Sequence, residues 1–367
     1  MVCTEKTALK QKIAATSCGV APVHVREDSM RLFAVLSAAV FGGSLLVGAA
    51  SAQEVQERTI RWGHLNNTDH PVSLGVKKFA EILLAKSDGK LKVREFASSQ
   101  LGNELQQQSA LRGGTQEMLS ASTTSLATVV PEFGLLDFPF IVGTTDQADA
   151  LVQGAFGKAM IDVLPQRGLI GLGYWGLGFR NVTNSKHPIT KLEDFNGLKL
   201  RVIPNPVYLE SFSAFKANPI PMAFGELYSA LETRTVDGQE NPYTVILSNK
   251  FYEVQKYVSA TNHTFTENII LVSKIFWDKL SPVEQRMMQE AYAESRGYQK
   301  EQTLLQTEKA LSELQARGMQ YNALAPEELE RLRKAVQPVV EKVSASLRPE
   351  TVKLFNEELD RVRKAAK

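Results

Sequence analysis

Apolar and polar positions along this chain switch repeatedly between a period of two and a period near 3.6. Residues 59–65 read as a first strand, 66–71 as turn chemistry, and 72–86 as an amphipathic helix with Val76, Phe79, Ala80 and Leu83 on one face. Residues 91–96 form a second strand. SSQLGNE then leads into a helix over 103–111, closed by Gly113 and Gly114, and a third strand starts over 116–120. This β-α-β-α-β order is that of a parallel sheet covered by helices, so an α/β fold is expected. Ser122, Thr123, Thr124 and Ser125 follow the third strand, where α/β proteins bind ligands outside the carboxyl ends of strands; the same cluster equally suits a helix cap.

Past the apolar, turn-rich segment 131–140, the pattern predicts one long helix over 146–167, closed by Gly168, and a strand over 169–174. The crossing that follows, WGLGFRNVTNSKHPI, has the Gly, Asn and Pro content of a linker between two lobes. The second lobe would hold strands over 198–203 and 235–240 and helices over 207–215, 225–231 and 244–251, with 269–272 a strand on the way back. A chain that leaves one lobe and returns to it makes a two-strand hinge. Ser281-Pro282-Val283-Glu284 is a helix start, with a capping-box serine, proline at the first helical position and glutamate three after the cap. Helix formers continue from there to Gly318, which at 1.5 Å per residue makes a rod of roughly 54 Å, long enough to lie along both lobes. Residues 326–367 are charged helix whose apolar positions, such as Leu329, Leu332, Val336 and Val340, suit packing rather than chemistry.

At 367 residues, with 43% hydrophobic and 22% charged residues, the chain is long enough for two packed domains. Its first part reads differently. After Met30 come Arg31, an apolar run over 32–48 and then Ala50-Ser51-Ala52, the plan of a cleavable secretory signal; residues 1–29 have no signal character and form an upstream extension. A membrane anchor is the alternative for this run. A chain beginning at Gln53 loses five of the 42 basic residues (Lys6, Lys10, Lys12, Arg26, Arg31) and three of the 40 acidic ones (Glu5, Glu27, Asp28), which leaves 37 of each sign. Such neutrality points to neither nucleic acid nor an anionic membrane surface. Both cysteines, Cys3 and Cys18, fall in the discarded part, so a disulfide frame, a thiolate metal site and a cysteine nucleophile are excluded together.

Gly171-Leu172-Gly173-Tyr174-Trp175-Gly176 matches G-x-G-x-x-G after a predicted strand, but LGFRNVTNSKHP follows where a dinucleotide site needs a helix, so the glycines are assigned to a crossover that bends. His64, His70, His187 and His263 are scattered without metal-ligand spacing; His64 and His70 follow the first strand and could line a cleft or lie on a solvated loop. What remains is Arg201 at the end of an apolar strand stopped by Pro204, Asn241 beside Pro242 at the end of another, Arg180, and the aromatics Trp175, Phe179 and Phe224. An arginine on a buried strand end costs several kcal/mol, roughly, unless it is paired. A protein acid such as Glu210 or Glu226 could pair with it, or a carboxylate ligand could, and the residues alone leave both open.

The chain also carries SSQLGN, PEFGLLDFPF, FRNVTNSKHPI, GLKLRV, NPIPMAFGELYSALETRTVDGQENP and NKFYEVQKYVSATNH. Through these stretches, over about residues 59–310, it resembles the solute-binding proteins of tripartite ATP-independent periplasmic (TRAP) transporters, DctP type. The likeness implies a two-lobed periplasmic-binding-protein fold with hinge strands and a long helix spanning both lobes. It also implies a carboxylate clamp at Arg201, a second ligand arginine at Arg180, a ligand asparagine at Asn241 and a ligand-facing phenylalanine at Phe224. Sialic-acid members carry a glutamate and an arginine where this chain has Ser122 and Ser125, which disfavours a sialic acid. Sugar-acid members often read Y-W-E-N-G where this chain reads Tyr174-Trp175-Gly176-Leu177-Gly178; losing that acid favours a smaller or less hydroxylated ligand and leaves Trp175 as an apolar wall.

The resulting expectations are concrete. Residues 53–177 and 265–306 would form lobe I, and 178–264 and 307–367 lobe II. The protein would be a monomeric periplasmic receptor, without cofactor or metal, that binds a small organic acid through Arg201, Arg180, Asn241, Phe224, Trp175, Ser122, Ser125 and His64. It would pass the acid to the small and large TRAP membrane subunits. A sugar-acid (uronate or aldonate) receptor is the alternative within the family. An exported enzyme acting on organic acids, with Glu240, His64 or Ser122 as base or nucleophile, is the alternative outside it.

Overall fold

Two strands of 16 and 17 residues, Leu169–Asn184 and Tyr257–Ser273, run antiparallel through the middle of a nine-stranded sheet. The computed structural model describes residues 55–365; the signal-like segment 30–52 and both cysteines lie outside them. In chain order the first part holds β1 (Arg58–Gly63), α1 (Pro71–Lys86), β2 (Leu91–Phe96), α2 (Glu104–Arg112), β3 (Met118–Ser122), α3 (Thr123–Leu126), α4 (Thr145–Gln153), α5 (Ala155–Asp162) and β4 (Leu169–Asn184). The middle holds β5 (Lys199–Val202), α6 (Pro206–Ala214), β6 (Asn218–Pro221), α7 (Leu227–Glu232), β7 (Gly238–Pro242), α8 (Tyr243–Ser248) and β8 (Tyr257–Ser273). The last part is α9 (Lys274–Trp277), α10 (Pro282–Ala316), β9 (Gln320–Ala323), α11 (Pro326–Ser346) and α12 (Pro349–Ala365).

Local chemistry explains the starts. Pro71 opens α1 behind His70, whose side chain accepts from the Val72 amide; Asn103 and Gln106 form a capping box on α2; Ser281 and Glu284 form another on α10. The sheet order β2-β1-β3-β8-β4-β7-β5-β6, with β9 on β8, makes β4 and β8 common to two halves. β3 pairs with β8 over residues 268–272, whereas β9 pairs with it over 257–260 and β7 pairs with β4 over 180–184. The two long strands therefore enter one half by one end and the other half by the other. α10 packs on α1 of the first half and on α8 of the second, so the 35-residue helix spans both. The protein has the two-lobed periplasmic-binding fold, with a core on each side of the shared strands: Ile60, Trp62, Phe79 and Met288 in one, Val182, Leu200, Val202 and Phe212 in the other.

Three expectations change. The linker read from WGLGFRNV is continuous strand, with register shifts at Gly171/Gly173, Gly176/Gly178 and Arg180/Val182 that take the bends the glycines signalled. The single helix predicted over 146–167 is broken into α4, α5 and a 3-10 turn, because Gly154 between them is extended (φ −81°, ψ −168°) and lies against Glu358 of α12. Finally, α12 packs on α4 and α5, and buries Phe355 and Leu359 beside Phe156, whereas residues 307–367 had all been expected with the second lobe. β9, paired with the 257–260 end of β8, and α11, against α6, do lie there.

Candidate functional site

A cavity of about 100 Å³ opens where the carboxyl ends of β3, β5 and β7 meet. Six of the eight residues expected at a ligand line it: Arg201, Arg180, Asn241, Phe224, Ser122 and Ser125. Arg201 reaches it because Leu200 and Val202 fix β5 in the core and Pro204 ends the strand just beyond. Its Nε and Nη2 both donate to the Met222 carbonyl, at 2.9 and 2.8 Å, and its guanidinium sits 5.9 Å from the Phe224 ring centroid. Nη1 has no partner, and Arg201 forms no ion pair with a described residue although it is 2% exposed. Burial lowers its pKa to about 10, with Glu240 and Glu104 pulling upward and Arg180 downward, so it stays charged at neutral pH. Glu210 and Glu226 are not its partners; Glu210 pairs with Lys342.

Arg180 is differently placed. It binds Glu240 through Nε and Nη2, and Nη2 also donates to the Glu240 carbonyl and to Asn241 Oδ1 at 2.7 and 3.1 Å. Burial would raise the Glu240 carboxyl, but Arg180 and His263 outweigh it and hold it below the usual range. Burial keeps His263 neutral, so its Nε2–H donates to Glu240 at 3.0 Å. Asn241 is engaged on both sides, since its amide also donates to Gln239 at 2.6 Å.

Two expected residues lie elsewhere. Trp175 is stacked on Trp62 (5.8 Å, 22°) against Gly75 of α1 and lines a separate cavity with Tyr174, Phe179 and Glu267, whereas Leu177, the extra residue of the bulge between Gly176 and Gly178, lines this one. His64 is fully buried and held by Glu95 at 2.9 Å, an acid that also accepts from Ser73, and neither histidine nor acid lines the cavity.

One residue was missed. Glu104, in the first turn of α2, lines the cavity, accepts the Ser122 amide at 2.7 Å and faces the Ser122 hydroxyl at 3.3 Å. Burial raises its carboxyl above the usual range, against the Ser122 bonds and Arg201. In SSQLGNE it reads only as the acid that favours a helix N-terminus, and its closeness to Arg201 is set by strand order rather than by spacing. A latch beside the cavity joins the halves: Asn205, the N-cap of α6, donates to the Thr124 carbonyl and to Asp137, each at 3.0 Å.

A buried guanidinium with a free Nη1 and no ion-pair partner, in a cleft between two lobes that share a pair of strands, is the site of a receptor for organic anions. The chain belongs to the bacterial extracellular solute-binding protein family 7 (DctP), whose model matches residues 62–346. It is 34% identical over 291 residues to the 2,3-diketo-L-gulonate-binding periplasmic protein YiaO of Escherichia coli (strain K12), which covers 79% of this chain and 88% of that one. It is 31% identical over 317 residues to the C4-dicarboxylate-binding periplasmic protein DctP of Rhodobacter capsulatus (86% and 95% covered). Among solved structures, the sugar acid binding protein DctPAm of Advenella mimigardefordensis, in complex with galactonate, superposes with a TM-score of 0.82 at 41% identity, covering 84% of this chain and 99% of that one. Proteins of this group are TRAP solute receptors for organic acids, including sugar acids.

Proposed function

We propose that this protein is a periplasmic receptor that closes its two lobes on one organic acid, holds the carboxylate at Arg201, and delivers the acid to TRAP membrane subunits. The observation that carries the reading is Arg201, buried, charged and without an acidic partner. A carboxylate there would take the free Nη1 and cancel the charge that burial penalises. Arg180 and Asn241 are committed to Glu240 and Gln239, so their role is to shape and polarise the floor, while Phe224 and Leu177 exclude water. Residues 53–177 and 265–306, with α12, are the lobe that carries Ser122, Ser125 and Glu104; residues 178–264, with β9 and α11, are the lobe that carries both arginines. Because ligand contacts come from both, binding favours the closed arrangement.

The family speaks for binding rather than turnover. The acid and histidine an enzyme would need are otherwise employed: Glu240 is paired with Arg180 and His263, and His64 with Glu95. Mass spectrometry of small molecules released on denaturing natively purified protein tests the reading. It should yield a stoichiometric organic acid that intact protein binds again and returns unchanged. Chemical conversion of that acid by the protein would overturn the receptor assignment.

A further inference from the structure

The separate cavity that holds Trp175, of about 140 Å³, lies on the other face of the hinge strands. Along β4, β7 and β8, the residues that line the acid cavity are Arg180, Asn241 and Asn268, and their neighbours Phe179, Pro242 and Glu267 line the separate one. Successive side chains of a strand point to opposite faces, so the two cavities lie back to back through the sheet. α10 covers the second one with Arg296, Gln299, Lys300 and Thr303. We propose that this cavity is a binding site for a small primary ammonium ion, its apolar body against the aromatic walls and its charge on Glu267.

Buried polar atoms carry the proposal. Glu267 Oε1, Gln299 Oε1 and Trp175 Nε1 have no hydrogen-bond partner among the described residues, and all three side chains, each at most 4% exposed, line this cavity. The Gln299 amide is fixed in its orientation, because Nε2 donates at 3.0 Å to the Gly176 carbonyl, which only accepts. Two of the three open atoms are therefore acceptors, and an ammonium group brings three donors. The walls are Tyr174, Trp175, Phe179, Tyr243 and Phe265, with Phe179 and Phe265 edge to face at 5.0 Å. Aromatic faces attract an organic cation. The charges agree. Arg296 and Lys300 both pair with Asp149, and Lys300 also with Asp146 at 3.3 Å, so two cations and two acids balance at the mouth. Burial keeps Tyr174 and Tyr243 neutral. Glu267 is left over: burial and Asp149 hold its proton on, against Arg296 and Lys300, and push its pKa up to about 8. Ionised, it would be a lone buried negative charge, and a monocation seated on it takes the place of the proton. An anion would find both cations of the cavity already paired and would lie beside Asp149 and Glu267.

Calorimetric titration of the ligand-free protein with benzylammonium and isobutylammonium chlorides, against benzyl alcohol and isobutanol of nearly the same shape, tests this. At about pH 8, at least one of the two ammonium ions should bind one per chain, about tenfold or more tightly than its matched alcohol. At about pH 6, where Glu267 carries its proton, that ion should bind about tenfold or more weakly than at pH 8 and release close to one proton, read from the heats in buffers of different ionisation enthalpy. Glu267→Gln keeps the shape and removes the charge, and should abolish the preference for ammonium while still unfolding cooperatively. Ammonium ions that bind no better than their alcohols, or that release no proton at the lower pH, overturn the proposal. Undiminished ammonium binding by folded Glu267→Gln does so too, since it puts the cation elsewhere. The proton count needs no variant, so it decides the matter even if Glu267→Gln does not fold.

Discussion

Arg180 and Arg201 stand on strands of one sheet, both buried, and their partners make them different residues. Arg180 is half of an ion pair that reaches His263 and Asn241, so truncating its acid strands a charge. Glu240→Ala should cost about 3–5 kcal/mol in urea unfolding, whereas Glu240→Gln, which keeps two of the hydrogen-bonding positions, should cost less. The chain's own residues named the Arg201 alternatives, and distance in sequence hid the choice: the carbonyl that holds Arg201 is Met222, 21 positions on, and nothing in the spacing says that it leaves Nη1 free. Trp175 shows the opposite failure. Its placement in the cleft came from the likeness to Y-W-E-N-G, in a stretch read as linker; the stretch is strand, and Leu177, the extra residue of the bulge between Gly176 and Gly178, lines the cavity instead.

At the scale of elements, β4 and β8 were legible at their ends and not as wholes, because glycine-rich strand and glycine-rich linker have the same composition. Gly173 is one place where the backbone leaves no choice: φ is +149°, and a Cβ there would lie 2.1 Å from the Tyr292 hydroxyl of α10, which donates to the Tyr174 carbonyl. Gly173→Ala should therefore loosen α10 from the hinge, lowering stability by roughly 1–3 kcal/mol in thermal or urea unfolding. Glu267 on β8 gives the hinge a pH dependence. It is 4% exposed, its Oε1 has no partner, and burial, helped by Asp149 and opposed by Arg296 and Lys300, pushes its pKa up to about 8. The folded state then holds a proton that the unfolded chain has released above its ordinary pKa of 4.5, so stability falls as pH rises from there to about 8. The slope from this group approaches ~1.4 kcal/mol per pH unit. Glu267→Gln should flatten that slope, read as a melting temperature that drops less between pH 5 and 8 than the wild type's; equal slopes would refute the assignment.

Across the whole molecule, the long helix was the feature most readable in sequence. The capping box at Ser281 and the helix formers up to Gly318 predicted α10 almost to its observed Pro282–Ala316, since helix starts and stops are local. The pairing of β3 and β9 on opposite halves of β8 was not local and could not be read. It is this pairing that joins two cores through two strands and leaves Asn205, Asp137 and Thr124 as a latch across the cleft. If a ligand closes that cleft, saturation at about 100 times its dissociation constant should add about 2.7 kcal/mol to stability, visible as a rise in melting temperature. The most direct test of the central claim is calorimetric titration of the acid released from natively purified protein into ligand-free wild type and Arg201→Ala. The variant should fold with at least the stability of the empty wild type and bind that acid about 100-fold or more weakly. Binding at wild-type affinity by a folded Arg201→Ala protein would contradict it.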